Sequence, residues 1–162
     1  MTANGIQGRN GNGRVYFQQG NFAIVEGAIL AGCRYMAGYP ITPATEIAEM
    51  MSKRLPQVGG YYVQFEDELG SIHSICGASL AGAKVLTATS GPGFSLYHDG
   101  YAYAIKNEIP IVVVQCSRVG PANGISAYTG CGEFYSTRYV THGGNYETIV
   151  LSPNSVQESF YL

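Results

Sequence analysis

At 162 residues the chain has room for one domain with a proper core and hardly for two. Only 12% of its residues are charged and 46% are hydrophobic, with 22 glycines and no tryptophan, which points to a tightly packed unit that also meets other protein. A net charge of −2 leaves no electrostatic footprint for nucleic acid or for an anionic membrane. No apolar run approaches the roughly 18 residues of a membrane span. Cys33, Cys76, Cys116 and Cys131 form no C-x-x-C pair, and His73, His98 and His142 lack ligand spacing. The chain by itself is therefore expected to build no zinc or iron–sulfur site. Its polar first residues do not resemble a secretory signal, so a soluble cytoplasmic protein with reduced thiols is expected.

Residues 1–14 read as a flexible leader rich in Gly, Asn and Gln, ahead of one domain over 15–162. Asn21 is placed to cap a helix from Phe22 to Cys33. A strand from Tyr35 to Tyr39 runs into Pro40, and a helix follows from Pro43 towards Leu55. Tyr61 to Phe65 reads as a strand and Glu66 to Lys84 as a helix, with Leu69, Ile72, Cys76 and Leu80 as its core face. On the same helix Gly70, Ser74, Ala78 and Gly82 form a small-residue stripe, suited equally to a neighbouring helix and to a subunit contact. Val85 to Thr89 reads as a strand, Phe94 to Asn107 as a helix, Ile109 to Gln115 as an apolar strand and Thr148 to Leu151 as one strand more. Ser152 to Ser155 leads into a last helix. Apolar strands alternating with helices predict an α/β fold, a mostly parallel sheet with helices on both faces.

Three segments sit where a strand hands over to a helix, the edge at which ligands of such folds bind. Glu66-Asp67-Glu68 follows the strand YYVQF. Three acids there complement a helix dipole, or else supply a carboxylate whose neighbours favour its neutral form. Tyr39-Pro40-Ile41-Thr42-Pro43 offers Thr42 as a helix cap, and the same hydroxyl beside free N–H groups suits a carboxylate ligand. In Thr87-Ala88-Thr89-Ser90-Gly91-Pro92-Gly93 the glycines allow close approach of a ligand or of backbone, and the run fits neither the phosphate-loop nor the dinucleotide pattern. Arg118, after the apolar strand, is either a solvated surface arginine or a bidentate carboxylate binder.

Taken in order, these segments resemble the alpha subunit of 2-oxoacid:ferredoxin oxidoreductases, particularly the 2-oxoglutarate type. The matching stretches are GNFAIVEGAILAGC, GYPITPATEI, QFEDE, GASLAGAKVLTATSGPGFSL, NEIPIVVVQ, SRVGPANG, THG and IVLSPNSVQE, across most of residues 20–159. The resemblance implies a pyrimidine-type thiamine-diphosphate-binding fold and a fragment of a longer alpha subunit. It implies oxidative decarboxylation of a 2-oxoacid with coenzyme A, the electrons passing through iron–sulfur clusters to ferredoxin or a ferredoxin-like subunit. Magnesium and the diphosphate would be held by a beta subunit, since a G-D-G…N pattern is missing here, and the clusters too would lie on partner subunits. Neither nucleic acid nor membrane is expected as a partner.

By the same resemblance, Glu68 is the activating glutamate that bonds to N1′ of the cofactor pyrimidine, with Glu66 as the second candidate. Thr42, Tyr39 and Arg118 resemble the residues that hold the substrate carboxylate, and Ser90, Gly91, Pro92 and Gly93 those that pass beside the cofactor. The chain departs from the family pattern at Ala122 and Asn123, at Tyr97-His98-Asp99, and at Val140 and Gly144, several of these near the presumed substrate, whereas the motifs tied to the cofactor are kept. A non-catalytic truncated paralogue and the pyrimidine domain of another thiamine-dependent decarboxylase are the competing readings.

Overall fold

The computed structural model describes residues 8–10, 13–120, 123, 125, 128–130, 132–141, 143 and 146–162. Cys131, His142 and Gly144, together with Pro121, Ala122 and Gly124, lie outside the described residues. Strands β1 (Gly8–Asn10) and β2 (Gly13–Val15) pair antiparallel, within a stretch where the sequence reading placed no element. Helix α1 (Gly20–Leu30) begins one residue before the expected cap, with Gln19 at the N-cap position. Asn21 does not cap it. Its carboxamide instead donates to Pro43 O (2.8 Å) and Glu46 Oε2 (3.1 Å), fastening α1 to the loop before the next helix.

β3 (Tyr35–Gly38), β4 (Tyr61–Gln64), β5 (Val85–Thr89) and β6 (Val112–Gln115) form one parallel sheet in the order β4-β3-β5-β6. β6 is shorter than the apolar run from Ile109, because Ile109 turns inward against Cys76 and Ala104 before the ladder begins. Thr148 to Leu151 is not a strand. Ile149, Val150 and Leu151 are exposed, so β propensity acts there without a neighbouring edge to pair with.

Helix α2 (Thr45–Arg54) and a single 3₁₀ turn (Leu55–Val58) connect β3 to β4, α3 (Glu68–Leu80) connects β4 to β5, and α4 (Pro92–Lys106) connects β5 to β6. The side-chain alternation of the strands sorts them onto two faces. Met36, Leu86 and Ala88 face α1 and α2, packing with Val25, Ile29, Ile47 and Met51. Ala37 and Val85 face α3 and α4, packing with Ile72, Ile75, Phe94 and Tyr97. Helices thus cover both faces, as the pattern predicts. Short helices α5 (Glu133–Arg138) and α6 (Val156–Tyr161) complete the described chain, the latter capped by Ser155, whose hydroxyl accepts from the Glu158 amide.

The core face of α3 differs from the one read off the sequence. Leu69 and Leu80 are exposed, whereas Ser71, Ile72, Ile75, Cys76 and Ser79 are buried. The helix opens at Glu68 with Asp67 as its cap, its carboxylate accepting from Gly70 N at 2.7 Å, and this start rotates the inner face by one position. Close packing with α4 comes from Gly100, where an added Cβ would stand 2.5 Å from Ile72 Cγ2. Gly82 of the small-residue stripe faces open space, and Ser74 meets the Tyr35 hydroxyl at 2.5 Å. Ile72→Ala is expected to cost about 2–5 kcal/mol in urea unfolding, and Leu69→Ala less than about 0.5 kcal/mol. Equal costs at the two positions would restore the face read from the sequence.

Candidate functional site

The carboxyl ends of the four parallel strands define the edge at which the singled-out residues gather. β3 pairs with β4 on one side and with β5 on the other, so the chain reverses its direction of winding between β3 and β5. Open α/β sheets bind ligands at such a switch point. Here β3 and β5 pair only at Tyr35↔Val85 and Met36↔Leu86, whereas β5 and β6 stay paired to Thr89↔Gln115. Beyond Met36 the Thr87 hydroxyl reaches across and donates to Ala37 O at 2.6 Å. Its single proton being used there, the Tyr97 hydroxyl must donate to Thr87 Oγ1, also at 2.6 Å. Burial, first of all, raises the pKa of the Tyr97 phenol and keeps it protonated.

Two clusters form around this opening. In the first, Glu68, at the head of α3, is only 5% exposed. Desolvation, with a smaller contribution from the neighbouring Asp67 charge, raises its pKa and favours the neutral acid. The carboxyl lies over the first turn of α4: a Cβ added to Gly93 would run into Thr89 Oγ1 and would stand 2.5 Å from Glu68 Oε1. Gly93 therefore makes room for the acid.

In the second cluster Arg118 is buried, contrary to the solvated alternative, and its Nη1 donates to Thr42 O at 2.9 Å. Its Nε occupies the space beside Gly91, where an added Cβ would meet it at 2.6 Å. The main-chain N–H of Arg118 donates to Glu133 Oε1 at 3.0 Å, so α5 holds the backbone of this arginine. Thr42 does not cap α2. That helix starts at Thr45 behind Ala44, and Thr42 lies in the turn before it. The Thr42 main-chain carbonyl rather than its hydroxyl is what joins the cluster. Pro92 opens α4 beside Gly91, while Tyr39 and Glu66 stand exposed at the same edge.

Buried polar atoms concentrate here. Thr89 Oγ1, Ser90 Oγ, both carboxamide atoms of Gln115 and Glu133 Oε2 are buried and have no hydrogen-bond partner among the described residues. Orphaned polar atoms are costly, and a set at one edge marks a surface built to receive polar groups from elsewhere. An open groove of about 320 Å³ between Pro40, Glu49, Tyr62 and Gln64 lies beside this edge on the α2 side of the sheet, apart from Glu68. Beneath the edge, Cys116 Sγ lies 3.7 Å from Asn21 Oδ1, and burial, together with the Glu46 charge, pushes the thiol up to about 12. Sequence reasoning missed Thr89, Gln115 and Glu133 as site residues. The parity of Thr89 with Val85 and Thr87 along β5 was the signal for the first. Glu133 had only its rarity as an acid in a weakly charged chain.

Residues 26–162 match the family described as pyruvate flavodoxin/ferredoxin oxidoreductase, thiamine-diphosphate-binding. The 2-oxoglutarate synthase subunit KorA of Methanocaldococcus jannaschii is 53% identical over 91% of this chain and 40% of its own length. The ketoisovalerate oxidoreductase subunit VorB of Methanothermobacter marburgensis is 44% identical over 86% of this chain and 40% of its own length. The solved 2-oxoglutarate:ferredoxin oxidoreductase of Magnetococcus marinus, with 2-oxoglutarate, coenzyme A and succinyl-CoA bound, superposes with a TM-score of 0.85 at 40% identity. That likeness covers 88% of this chain and 25% of the solved one. The chain thus spans about 40% of the length of the curated relatives it matches. The family match over residues 26–162, carried by relatives of this identity, shows that the chain belongs to the thiamine-diphosphate-binding family of pyruvate flavodoxin/ferredoxin oxidoreductases.

Proposed function

We propose that the chain is the pyrimidine-binding domain of the alpha subunit of a thiamine-diphosphate-dependent 2-oxoacid:ferredoxin oxidoreductase, with 2-oxoglutarate as the favoured substrate. The observation that carries this reading is the buried, neutral-favouring carboxyl of Glu68 at the switch point of the sheet. When bound, thiamine diphosphate supplies the carbon nucleophile and electron sink for decarboxylation. The residues present fit its pyrimidine half: a carboxyl whose pKa burial raises, a glycine that clears the space above it, and unclaimed hydroxyls on Thr89 and Ser90. Glu68 would hold its proton against N1′ of the ring, and Glu66, exposed, is less suited to that task. Arg118 and the Thr42 loop would take the substrate carboxylate, with Tyr39 at the rim.

Substrate choice rests on the order of identities, 53% to a 2-oxoglutarate synthase subunit against 44% to a ketoisovalerate oxidoreductase subunit. The remaining parts of the reaction belong to other chains: a beta subunit holding magnesium and the diphosphate, a ferredoxin or ferredoxin-like acceptor with iron–sulfur clusters, and the coenzyme A that receives the acyl group. Among the described residues no helix is long and apolar enough to cross a membrane. Cys33, Cys76 and Cys116 are free thiols, in keeping with a reducing cytoplasm.

In a complex reconstituted with the partner subunits, Glu68→Gln should slow exchange of the cofactor C2 proton at least about 100-fold while cofactor stays bound. NMR follows the exchange, and an unchanged rate removes Glu68 from the role. The same substitution should stabilise the chain at neutral pH. A carboxyl whose pKa is raised by folding contributes stability that is lost as pH rises through the folded value, and a glutamine has no such loss. The gap in urea midpoint between variant and wild type should therefore close on acidification below the ordinary glutamate value of about 4.3.

Arg118→Ala should raise the KM for 2-oxoglutarate by about 10- to 150-fold, the worth of one charge-assisted contact, with cofactor affinity little changed. A KM within twofold of wild type, for this substrate and for 2-oxoisovalerate, would exclude Arg118 as the carboxylate anchor. The chain alone should give little or no heat on calorimetric titration with thiamine diphosphate and magnesium. One carboxyl contact and a few hydroxyls do not offset the cost of immobilising the cofactor. Micromolar binding without a partner would overturn the division of the site between two subunits.

A further inference from the structure

Arg118 follows the end of β6 in a stretch whose main chain is fastened at three amides. Cys116 N donates to Thr89 O at 2.9 Å, beside the end of β5, and Val119 N donates to Tyr128 O at 2.8 Å. Between them the Arg118 N–H goes to a side chain, Glu133 Oε1, at 3.0 Å. Glu133 is only 7% exposed, and the first turn of α5 fixes it in its turn. The hydroxyls of Ser136 and Thr137 both donate to its main-chain oxygen, at 3.0 and 2.8 Å. Gly130 brings the chain ahead of α5 against the arginine: a Cβ there would stand 2.5 Å from Val119 Cα and 2.9 Å from Arg118 O. The Glu133 carboxyl is engaged with the Arg118 backbone, and among the described residues the guanidinium forms no ion pair, with this acid or with any other.

We propose that Glu133 is a positioning residue for anion recognition, its Oε1 fixing the main chain of Arg118 while the guanidinium stays available to an anionic ligand. An acid that met the guanidinium itself would occupy the donors that a ligand carboxylate needs. Held by its N–H, the residue has a fixed backbone, and the long side chain is then guided by Thr42 O at Nη1 and by the space beside Gly91 at Nε. A buried N–H without an acceptor is costly, so loss of Oε1 drives the backbone at 118 towards another partner and draws the guanidinium from its place. What the contact requires is an acceptor oxygen at that reach from α5 rather than a carboxyl as such. A glutamine supplies one, whereas an aspartate is one methylene too short. The bearing on substrate rests on the reading of Arg118 given above; the hold on its backbone is a property of the chain itself.

The test compares Glu133→Asp with Glu133→Gln in the complex reconstituted with the partner subunits. Two quantities are read: steady-state kinetics with 2-oxoglutarate, and hydrogen–deuterium exchange of the Arg118 amide by mass spectrometry. Glu133→Asp should speed that exchange and raise the KM about tenfold, with kcat within about twofold, as expected for a buried N–H deprived of its acceptor. Glu133→Gln keeps an acceptor and should stay within about threefold of wild type in both readings. If Glu133→Asp does not assemble, Glu133→Met, which fills the space without an acceptor, gives the same comparison. The proposal fails if the variant lacking the acceptor keeps the wild-type value in either reading. It fails equally if Glu133→Gln is impaired as far as that variant, or if kcat falls as far as KM rises. An unchanged KM in Arg118→Ala would instead remove the arginine as carboxylate anchor and leave the positioning to stand or fall on the exchange.

Discussion

β3 and β5 lie side by side for two residues and then part, and the site exists because of that separation. A parallel ladder ordinarily satisfies the backbone of both strands, so parting them early leaves polar groups in need of partners at a buried place. The chain meets this need with side chains. The Thr87 hydroxyl takes the Ala37 carbonyl and the Tyr97 hydroxyl secures Thr87, a short relay that bridges the parted strands. Each member is fully buried or nearly so, which makes the brace strong and leaves it little freedom to adjust.

What enters the opening is decided by the loops that leave the strand ends. A carboxyl group brought into such a place must be paired or neutral, and Glu68, with desolvation as the leading influence, tends to neutrality. Arg118, also buried at this edge, donates to the Thr42 carbonyl. One fold edge thus holds a buried carboxyl and a buried guanidinium. Proton transfer and anion recognition need that combination at one centre.

The sequence was most legible where local chemistry and tertiary packing agree. Val85–Thr89 is a strand to the residue, since its β-branched residues face α3 and α4 while Leu86 and Ala88 face α1 and α2, and Ser155 caps α6 because its oxygen serves its own helix. Legibility failed where a side chain suited to a local task is used at long range. Asn21 has the form of a cap, yet its amide is needed across the α1–α2 gap. Thr42 has the form of a cap and contributes its main-chain carbonyl to Arg118. The Thr148 to Leu151 segment has strand propensity and no edge to pair with. At the site, Glu68 and Arg118 stood out because charges are scarce in this chain, whereas Thr89 and Gln115 resemble any other strand residues until the sheet is assembled.

Gly91 carries a further consequence. Its backbone adopts φ +48°, a region that L side chains rarely enter, and the Arg118 Nε fills the space its missing Cβ would occupy. Any side chain at 91 would therefore strain the turn and displace the guanidinium in the same event. Shortening residue 118 would relieve the second penalty and leave the first. The two positions are coupled in one direction: residue 91 is not free to drift while Arg118 is kept.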